Sequence, residues 1–261
     1  MSLSALIFDV DGTLVDTEEL HRQAFNQVFL DFELGWDWTP DLYADLLRYS
    51  GGANRLVAYI KSLSLPDSRA AYLEQIVPMV HRSKTCIYTE FVNDSALKPR
   101  PGVARLIDEA LRSGLKIGLV ATSALRDVRE LVSLTLGRDV AEAVSSVVCA
   151  EFVSNKKPAP DMYRLALNML RLPAEACVAF EDSANGLAAA KAASIRTIVT
   201  PTRWTRRQDF IGADLMLSTL GDPSDPVDNS EAALIGGRRY LELKDVEALT
   251  KISLATSIPL T

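Results

Sequence analysis

After residue 100 the chain settles into an alternation that few folds can satisfy. Lys116–Ala121 is a strand-like apolar run, Asp127–Leu136 has helical spacing, and Val144–Cys149 is strand-like again. Pro160–Leu170 reads as a helix with proline in its first turn, Cys177–Glu181 as a strand, Gly186–Ala193 as a small-residue helix and Arg196–Val199 as a last core strand. A helix over Val103–Arg112, ended by Gly114, precedes them. Such alternation needs crossover connections, and these build an α/β fold with a doubly wound, mostly parallel sheet. One further strand, Ala5–Val10, lies far upstream. Between it and the rest only helical patterns occur. Leu20, Ala24, Val28 and Phe32 recur four apart, and further helices are read at Asp41–Arg48, Arg55–Leu63 and Ser68–Phe91. The expected organisation is a core of residues 1–16 and 93–230, an all-helical insert of residues 17–92, and a C-terminal extension of residues 231–261. Leu241–Leu249 within that extension is read as one last helix or strand.

Ligands of an open parallel sheet bind at the carboxyl ends of its strands. The first strand ends in Asp9-Val10-Asp11-Gly12-Thr13 and the second in Thr122-Ser123. The third is followed by Lys156-Lys157-Pro158, and the fourth ends in Glu181-Asp182-Ser183. Each group alone is ordinary: a DxD beside a turn, a solvated lysine, a helix cap. Their arrival at four strand ends of one sheet is not. Converging carboxylates repel unless a cation lies among them, and oxygen ligands without His or Cys favour Mg²⁺. Lys157 and a metal would offset the charge of a phosphoryl group, with Thr122 donating to one of its oxygens. Asp9 would attack phosphorus to give an aspartyl phosphate, while Asp11 protonates the leaving group and then activates water.

Composition narrows the alternatives. The net charge is -6 with no long run of one sign, which argues against nucleic acid or an anionic membrane as partner. No ~20-residue apolar stretch is present, so no membrane span is expected. The start of the chain lacks the layout of a signal peptide, and a cytoplasmic protein is expected. Cys86, Cys149 and Cys177 are too few and too scattered for a disulfide framework. A signalling receiver domain uses similar groups, but its phosphoacceptor lies on a middle strand of a much shorter chain.

These residues resemble the four ordered motifs of the haloacid dehalogenase superfamily of phosphohydrolases: DVDGTL at Asp9–Leu14, the Thr122 strand end, Lys157 in KKPAPDMY, and EDSANG at Glu181–Gly186. The resemblance implies Asp9 as nucleophile, Asp11 as acid and base, and Thr122 and Lys157 as phosphate ligands. It implies Mg²⁺ held by Asp9, the Asp11 carbonyl and Asp182, with Glu181 in or near the metal shell, and the helical insert as a mobile cap. Within the superfamily, TEELHRQAFN, RPGVARLIDEA and EDSANGLAAAKAA are similar to the β-phosphoglucomutase-like branch and, more closely, to the CbbY family of the Calvin cycle. That family dephosphorylates xylulose-1,5-bisphosphate, an inhibitory by-product of Rubisco. The similarity implies a small sugar phosphate as substrate, a monomer by analogy, and Glu18, His21 and Tyr43 facing the sugar from the cap. His21 lies one helical turn beyond Thr17, so both are expected to face Asp11. Gly51, Gly52 and Arg55 form the matching cap loop and Ser123 continues the strand-end hydroxyls. Ala53 stands where that family tends to carry a lysine, leaving Arg55 as the cation for a distal phosphate. A phosphosugar mutase or a broad sugar-monophosphate phosphatase uses the same nucleophile and metal.

Overall fold

The strand nearest the N-terminus takes the middle of the sheet. In this computed structural model, which describes residues 2–251, the strands are β1 (Ala5–Asp9), β2 (Lys116–Ala121), β3 (Ser146–Cys149), β4 (Cys177–Glu181), β5 (Arg196–Val199) and β6 (Leu215–Met216). They pair in parallel throughout, in the spatial order β3-β2-β1-β4-β5-β6. This is the doubly wound order, and its switch point lies beside β1. β1 is buried along its whole length. Its side chains alternate between the two faces: Leu6 and Phe8 join one apolar cluster, Ala5 and Ile7 the other. Phe8 stacks on Phe180 of β4 at 4.4 Å, which fixes the register that carries Asp9 to the level of Glu181. Arg196–Val199 is not the last strand, because β6 extends the sheet beyond it. Two residues are too short to show a period of two.

The helices, in chain order, are α1 (Glu18–Asp31), α2 (Pro40–Leu46), α3 (Gly52–Ser62), α4 (Asp67–Asp94), α5 (Val103–Arg112), α6 (Leu125–Leu136), α7 (Arg138–Ala143), α8 (Asp161–Leu170), α9 (Ala184–Ala192), α10 (Asn229–Leu234) and α11 (Leu243–Lys251). Val103, Leu106 and Ile107 of α5 and Val128 and Leu131 of α6 cover one face of the sheet. Met162, Tyr163 and Ala166 of α8 and Ala189 and Ala190 of α9 cover the other. The first four helices enclose a separate aromatic core of Phe25, Phe29, Trp38 and Tyr43 with Leu56 and Ile60, and we call them the cap. No helix among the described residues is long and apolar enough to cross a membrane.

The segment expected as an extension packs into the core as far as it is described. Ala232, Ile235, Leu241, Leu243 and Val246 are buried in the same cluster as Leu106 and Phe8, as is Val227 just before the segment. Asp228 caps α10 by accepting from the amides of Ser230 and Glu231. Arg105 of α5 donates to the carbonyls of Gly221 and Leu241, at 2.8 and 2.9 Å, tying the segment to the first helix of the core. Residues 252–261 of the expected extension lie outside the described residues. Leu241 is fully buried. Leu241→Ala is expected to lower the free energy of unfolding by about 2–5 kcal/mol, read from urea denaturation at constant m. A loss below about 0.5 kcal/mol would show the segment to be peripheral.

Candidate active site

Two carboxylates flank the end of β1, and each has its own set of partners. Gly12, at φ +86, makes the turn after β1, and a Cβ there would come within 2.5 Å of Asp182 Oδ2. Glycine is thus required both for the backbone conformation and for the approach of Asp182. Arg100, where the chain returns from the cap, fixes the same turn. Its guanidinium donates to the carbonyls of Gly12 and Thr200, each at 2.6 Å, and to that of Ser218 at 2.8 Å. In sequence, Arg100 reads only as part of a boundary.

Asp9 points into the core. Its Oδ1 accepts from Lys157 Nζ at 2.5 Å, and the same ammonium donates to Glu181 Oε1 at 2.6 Å. Tyr163 donates to that Glu181 oxygen at 2.6 Å, and Ser183 to Oε2 at 3.4 Å. Asp182 accepts from Thr205 Oγ1 at 3.3 Å. Asp9, Glu181 and Asp182 are buried, and each brings a carboxylate oxygen within 4.8 Å of the others. Burial pushes the Asp9 carboxyl up to about 8; Lys157 works against this, while Glu181 and Asp11 add to it. Burial and the charges of Asp9 and Glu181 raise Asp182 as well. Burial opposes the Lys157 charge, but Asp9 and Glu181 outweigh it and raise its pKa. A single ammonium among three buried carboxylates leaves negative charge unbalanced. An all-oxygen donor set with that surplus fits a hard divalent cation such as Mg²⁺.

Asp11 points into the cap. Its Oδ1 accepts from Thr17 Oγ1 at 2.6 Å and lies 3.4 Å from both His21 Nε2 and the Tyr88 hydroxyl; Oδ2 accepts from Ser123 at 2.8 Å. Its carboxylate is therefore apart from the acidic cluster, so any part it takes in holding a metal falls to its main-chain carbonyl. Lys84 Nζ lies 2.5 Å from His21 Nδ1 and over the rings of Phe25 and Tyr88, and His21 stacks on Tyr88 at 3.8 Å. With the ammonium donating to Nδ1, His21 is neutral and carries its proton on Nε2, toward Asp11. Burial and then the Lys84 charge lower the imidazole pKa, consistent with that form. Burial lowers Lys84 itself to about 7, with Arg55 acting in the same direction. Burial pushes the Asp11 carboxyl up, but the bonds from His21, Thr17 and Ser123 outweigh it and hold the group well below the usual carboxylate range. With the imidazole neutral, that support is hydrogen bonding rather than an ion pair.

The two halves meet at a cavity of about 140 Å³ whose lining includes Glu18, His21, Gly51, Gly52 and Arg55 from the cap and Asp11, Thr122 and Ser123 from the core. A smaller neighbouring space of about 60 Å³ is lined by Asp9, Thr122, Lys157 and Asp182, with Gly51 and Arg55 above them. One residue departs from expectation. Tyr43 does not face the cavity; it is fully buried behind it, donating to Glu18 at 2.6 Å and accepting from Arg55 at 2.8 Å. Glu181, also fully buried, lies beneath Lys157. His81, Lys84 and Tyr88 were missed in the sequence. They recur at helical spacing on α4, a signal hidden because the same spacing marks any buried helix face.

A parallel sheet that presents a buried acid–lysine cluster beneath a helical cap defines a capped α/β hydrolase. The haloacid dehalogenase-like hydrolase pattern matches residues 3–194, and the chain belongs to that family. It is 43% identical over 225 residues to protein CbbY (plasmid) of Cupriavidus necator, covering 86% of this chain and 89% of that one. The solved structure of CbbY from Rhodobacter sphaeroides in complex with phosphate is 38% identical, with a TM-score of 0.75 over 83% of this chain and 94% of that one. A mutant of that protein in complex with xylulose-(1,5)bisphosphate is 37% identical, with a TM-score of 0.76 over 85% of this chain and 98% of the other. This chain is a phosphatase of that family.

A cation held by the acidic cluster would compete with a proton for Asp9. Below a carboxyl pKa of about 8 the proton is favoured, so Mg²⁺ binding is expected to weaken as pH falls. Calorimetric titration of Mg²⁺ should show at least a roughly tenfold loss of affinity from pH 8 to pH 6, with proton release on binding. An affinity independent of pH over that range would show that Asp9 takes up no proton there.

Proposed function

We propose that this phosphatase removes a phosphoryl group from a small phosphorylated sugar, xylulose-1,5-bisphosphate foremost, through an aspartyl phosphate on Asp9. The observation that carries the reading is the division at the β1 turn. Asp9 lies among Lys157, Glu181 and Asp182, while Asp11, two residues on, lies between Thr17 and His21 of the cap and Ser123 of the core, at a cavity both parts line. Asp9, Asp182 and the Asp11 carbonyl would hold Mg²⁺, with Glu181 beside them. When bound, the ion offsets phosphoryl charge and leaves Asp9 ionised.

An Asp9 oxygen attacks phosphorus and the bond to the sugar oxygen breaks. Lys157 and Thr122 hold the phosphoryl oxygens. Asp11 gives its proton to the departing oxygen. It then takes a proton from the water that attacks the aspartyl phosphate, freeing phosphate and restoring Asp9. In the resting site Asp11 is ionised; an ester arriving as its monoanion brings the proton, and the ester's negative charge raises the affinity of Asp11 for it. The proton taken from water in the second step serves the next turnover. Thr17, His21 and Ser123 keep its carboxyl aimed at the seam throughout. Similarity to the CbbY protein solved with xylulose-(1,5)bisphosphate supports the choice of substrate. Glu18, His21 and Arg55 would meet the sugar and its distal phosphate.

Phosphate release from a panel of pentulose bisphosphates, hexose phosphates and phosphoglycolate tests this. The expected outcome is a preference for the pentulose bisphosphate of at least about tenfold in kcat/KM, with Asp9→Asn reducing turnover by about 10³-fold or more. A preference for a hexose monophosphate would sink the substrate assignment, and turnover by Asp9→Asn would sink the nucleophile. Conversion of β-glucose 1-phosphate and a bisphosphate primer to glucose 6-phosphate without free phosphate would identify a mutase instead.

A further inference from the structure

After β5 the core extends a loop whose side chain at residue 204 leaves the core altogether. The Trp204 indole is 5% exposed and sits in the aromatic cluster of the cap, with its ring edge-on to Tyr43 at 5.5 Å and 86°. Its N–H has no hydrogen-bond partner, so packing alone holds it there. The flanking residues anchor the loop on both sides of the seam. Arg203 covers the indole at 4.4 Å and reaches Glu19 of α1 at 3.3 Å. Thr205 turns back to the core, donating to Asp182 at 3.3 Å and accepting from the Thr202 amide at 3.0 Å. Three consecutive residues thus engage the first cap helix, the cap interior and the acidic cluster.

The indole of Trp204 makes no hydrogen bond to a group that lines the cavity. Tyr43 does. Its hydroxyl is the shared partner of Glu18 and Arg55, which enter the cavity from two different cap helices. The hydroxyl can hold both only while the ring behind it stays in place. Phe25 and Trp38 approach that ring at 6.3 and 6.0 Å from within the cap. Trp204 approaches it more closely, and from the core. Any separation of cap from core withdraws the indole and opens a gap beside Tyr43.

We propose that Trp204 is a positioning residue for substrate recognition. Through Tyr43 it fixes Glu18 and Arg55 in the cavity, so that the recognition set is complete only while the cap is seated on the core. The inference rests on the reading that the cavity takes the sugar. It makes the affinity for the sugar part of the ester depend on a core side chain that never meets it.

The test compares the best sugar phosphate of the panel with p-nitrophenyl phosphate, whose leaving group has no hydroxyls or second phosphate for Glu18 and Arg55. Circular dichroism and thermal melting report the fold of each variant. Trp204→Ala is expected to raise KM for the sugar phosphate about tenfold and to lower the sugar-to-aryl ratio of kcat/KM by a similar factor. Trp204→Phe, which keeps an aromatic edge against Tyr43, should restore most of that ratio even if the alanine variant folds poorly. In a Tyr43→Phe background, Trp204→Ala should add less than about twofold, because both act through one hydroxyl. Equal losses for sugar and aryl phosphates, or penalties of Trp204→Ala and Tyr43→Phe that multiply, would overturn the proposal. So would an unchanged KM in Trp204→Ala when Arg55→Lys raises it. An unchanged KM in both Arg55→Lys and Glu18→Gln would overturn the reading of the cavity as well.

Discussion

A lysine ammonium held between two buried carboxylates is the constraint around which the rest is arranged. Removing Asp9, Lys157 and Glu181 from water costs several kcal/mol per ion, and their mutual attraction repays this only when the geometry is tight and remaining lone pairs are satisfied. The structure meets both conditions. Lys157 reaches both acids at 2.5–2.6 Å, and Tyr163 and Ser183 take up the remaining capacity of Glu181. Asp182 accepts from Thr205 and lies against the backbone at Gly12, with an oxygen near those of Asp9 and Glu181 where a cation site can form. Adjacent parallel strands bring Asp9 and Glu181 to one edge, and the loop between β3 and α8 carries Lys157 in between them.

The second consequence is a division of labour within three residues. Burial in the core raises the Asp9 carboxyl against the pull of Lys157, while His21 and Thr17 of the cap, with Ser123 of the core, hold the Asp11 carboxyl down. Two acids of one type thus have opposite proton affinities set by their surroundings. Thr17 is the hinge between these environments: it begins the approach to α1 and donates to Asp11 from the cap side at 2.6 Å. Arg100, on the returning chain, holds the other side of the same turn. The cap and the acid-base residue are therefore mechanically joined at both ends of the insertion.

Much of this was legible in the sequence, and the parts that were not share a cause. Strand ends can be found by pattern, so Asp9, Thr122, Lys157, Glu181 and Asp182 were identified together with their edge. Thr17 and His21 were found because they lie one turn apart on the same helix as it leaves that edge. Lys84 and Tyr88 are 63 and 77 residues from the groups they bond, and their pairing depends on how α4 lies across α1. Trp204 reads as one aromatic residue in a loop; only the packing of the cap reveals that it belongs to the other side of the seam. Tyr43 was assigned to the correct cluster but the wrong surface, because spacing does not distinguish a residue that lines a cavity from one that holds its lining. β6 escaped detection because a two-residue strand carries no period, and the C-terminal helix was read only as helix or strand, without its place in the core.

The cap loop shows how far residue-by-residue comparison with the CbbY family reaches. Ala53 stands where that family tends to carry a lysine, and the simple expectation is a cavity short of positive charge. In the structure Ala53 packs against the apolar interior of the cap, while Arg55 and Lys84 line the cavity and Lys156 comes up beside Gly51 from the core. Positive charge is supplied by three different elements: α3, α4 and the loop that carries Lys157. Charge acts through space, so an anionic group in the cavity meets the summed field of these cations whichever element delivers them. Geometry is another matter, since each cation is fixed by a different neighbour: Arg55 by Tyr43, Lys84 by His21. Substitution at Ala53 therefore leaves the cavity cationic but shifts control of its shape onto the aromatic cluster behind Tyr43, which is the part of the cap that Trp204 reaches from the core.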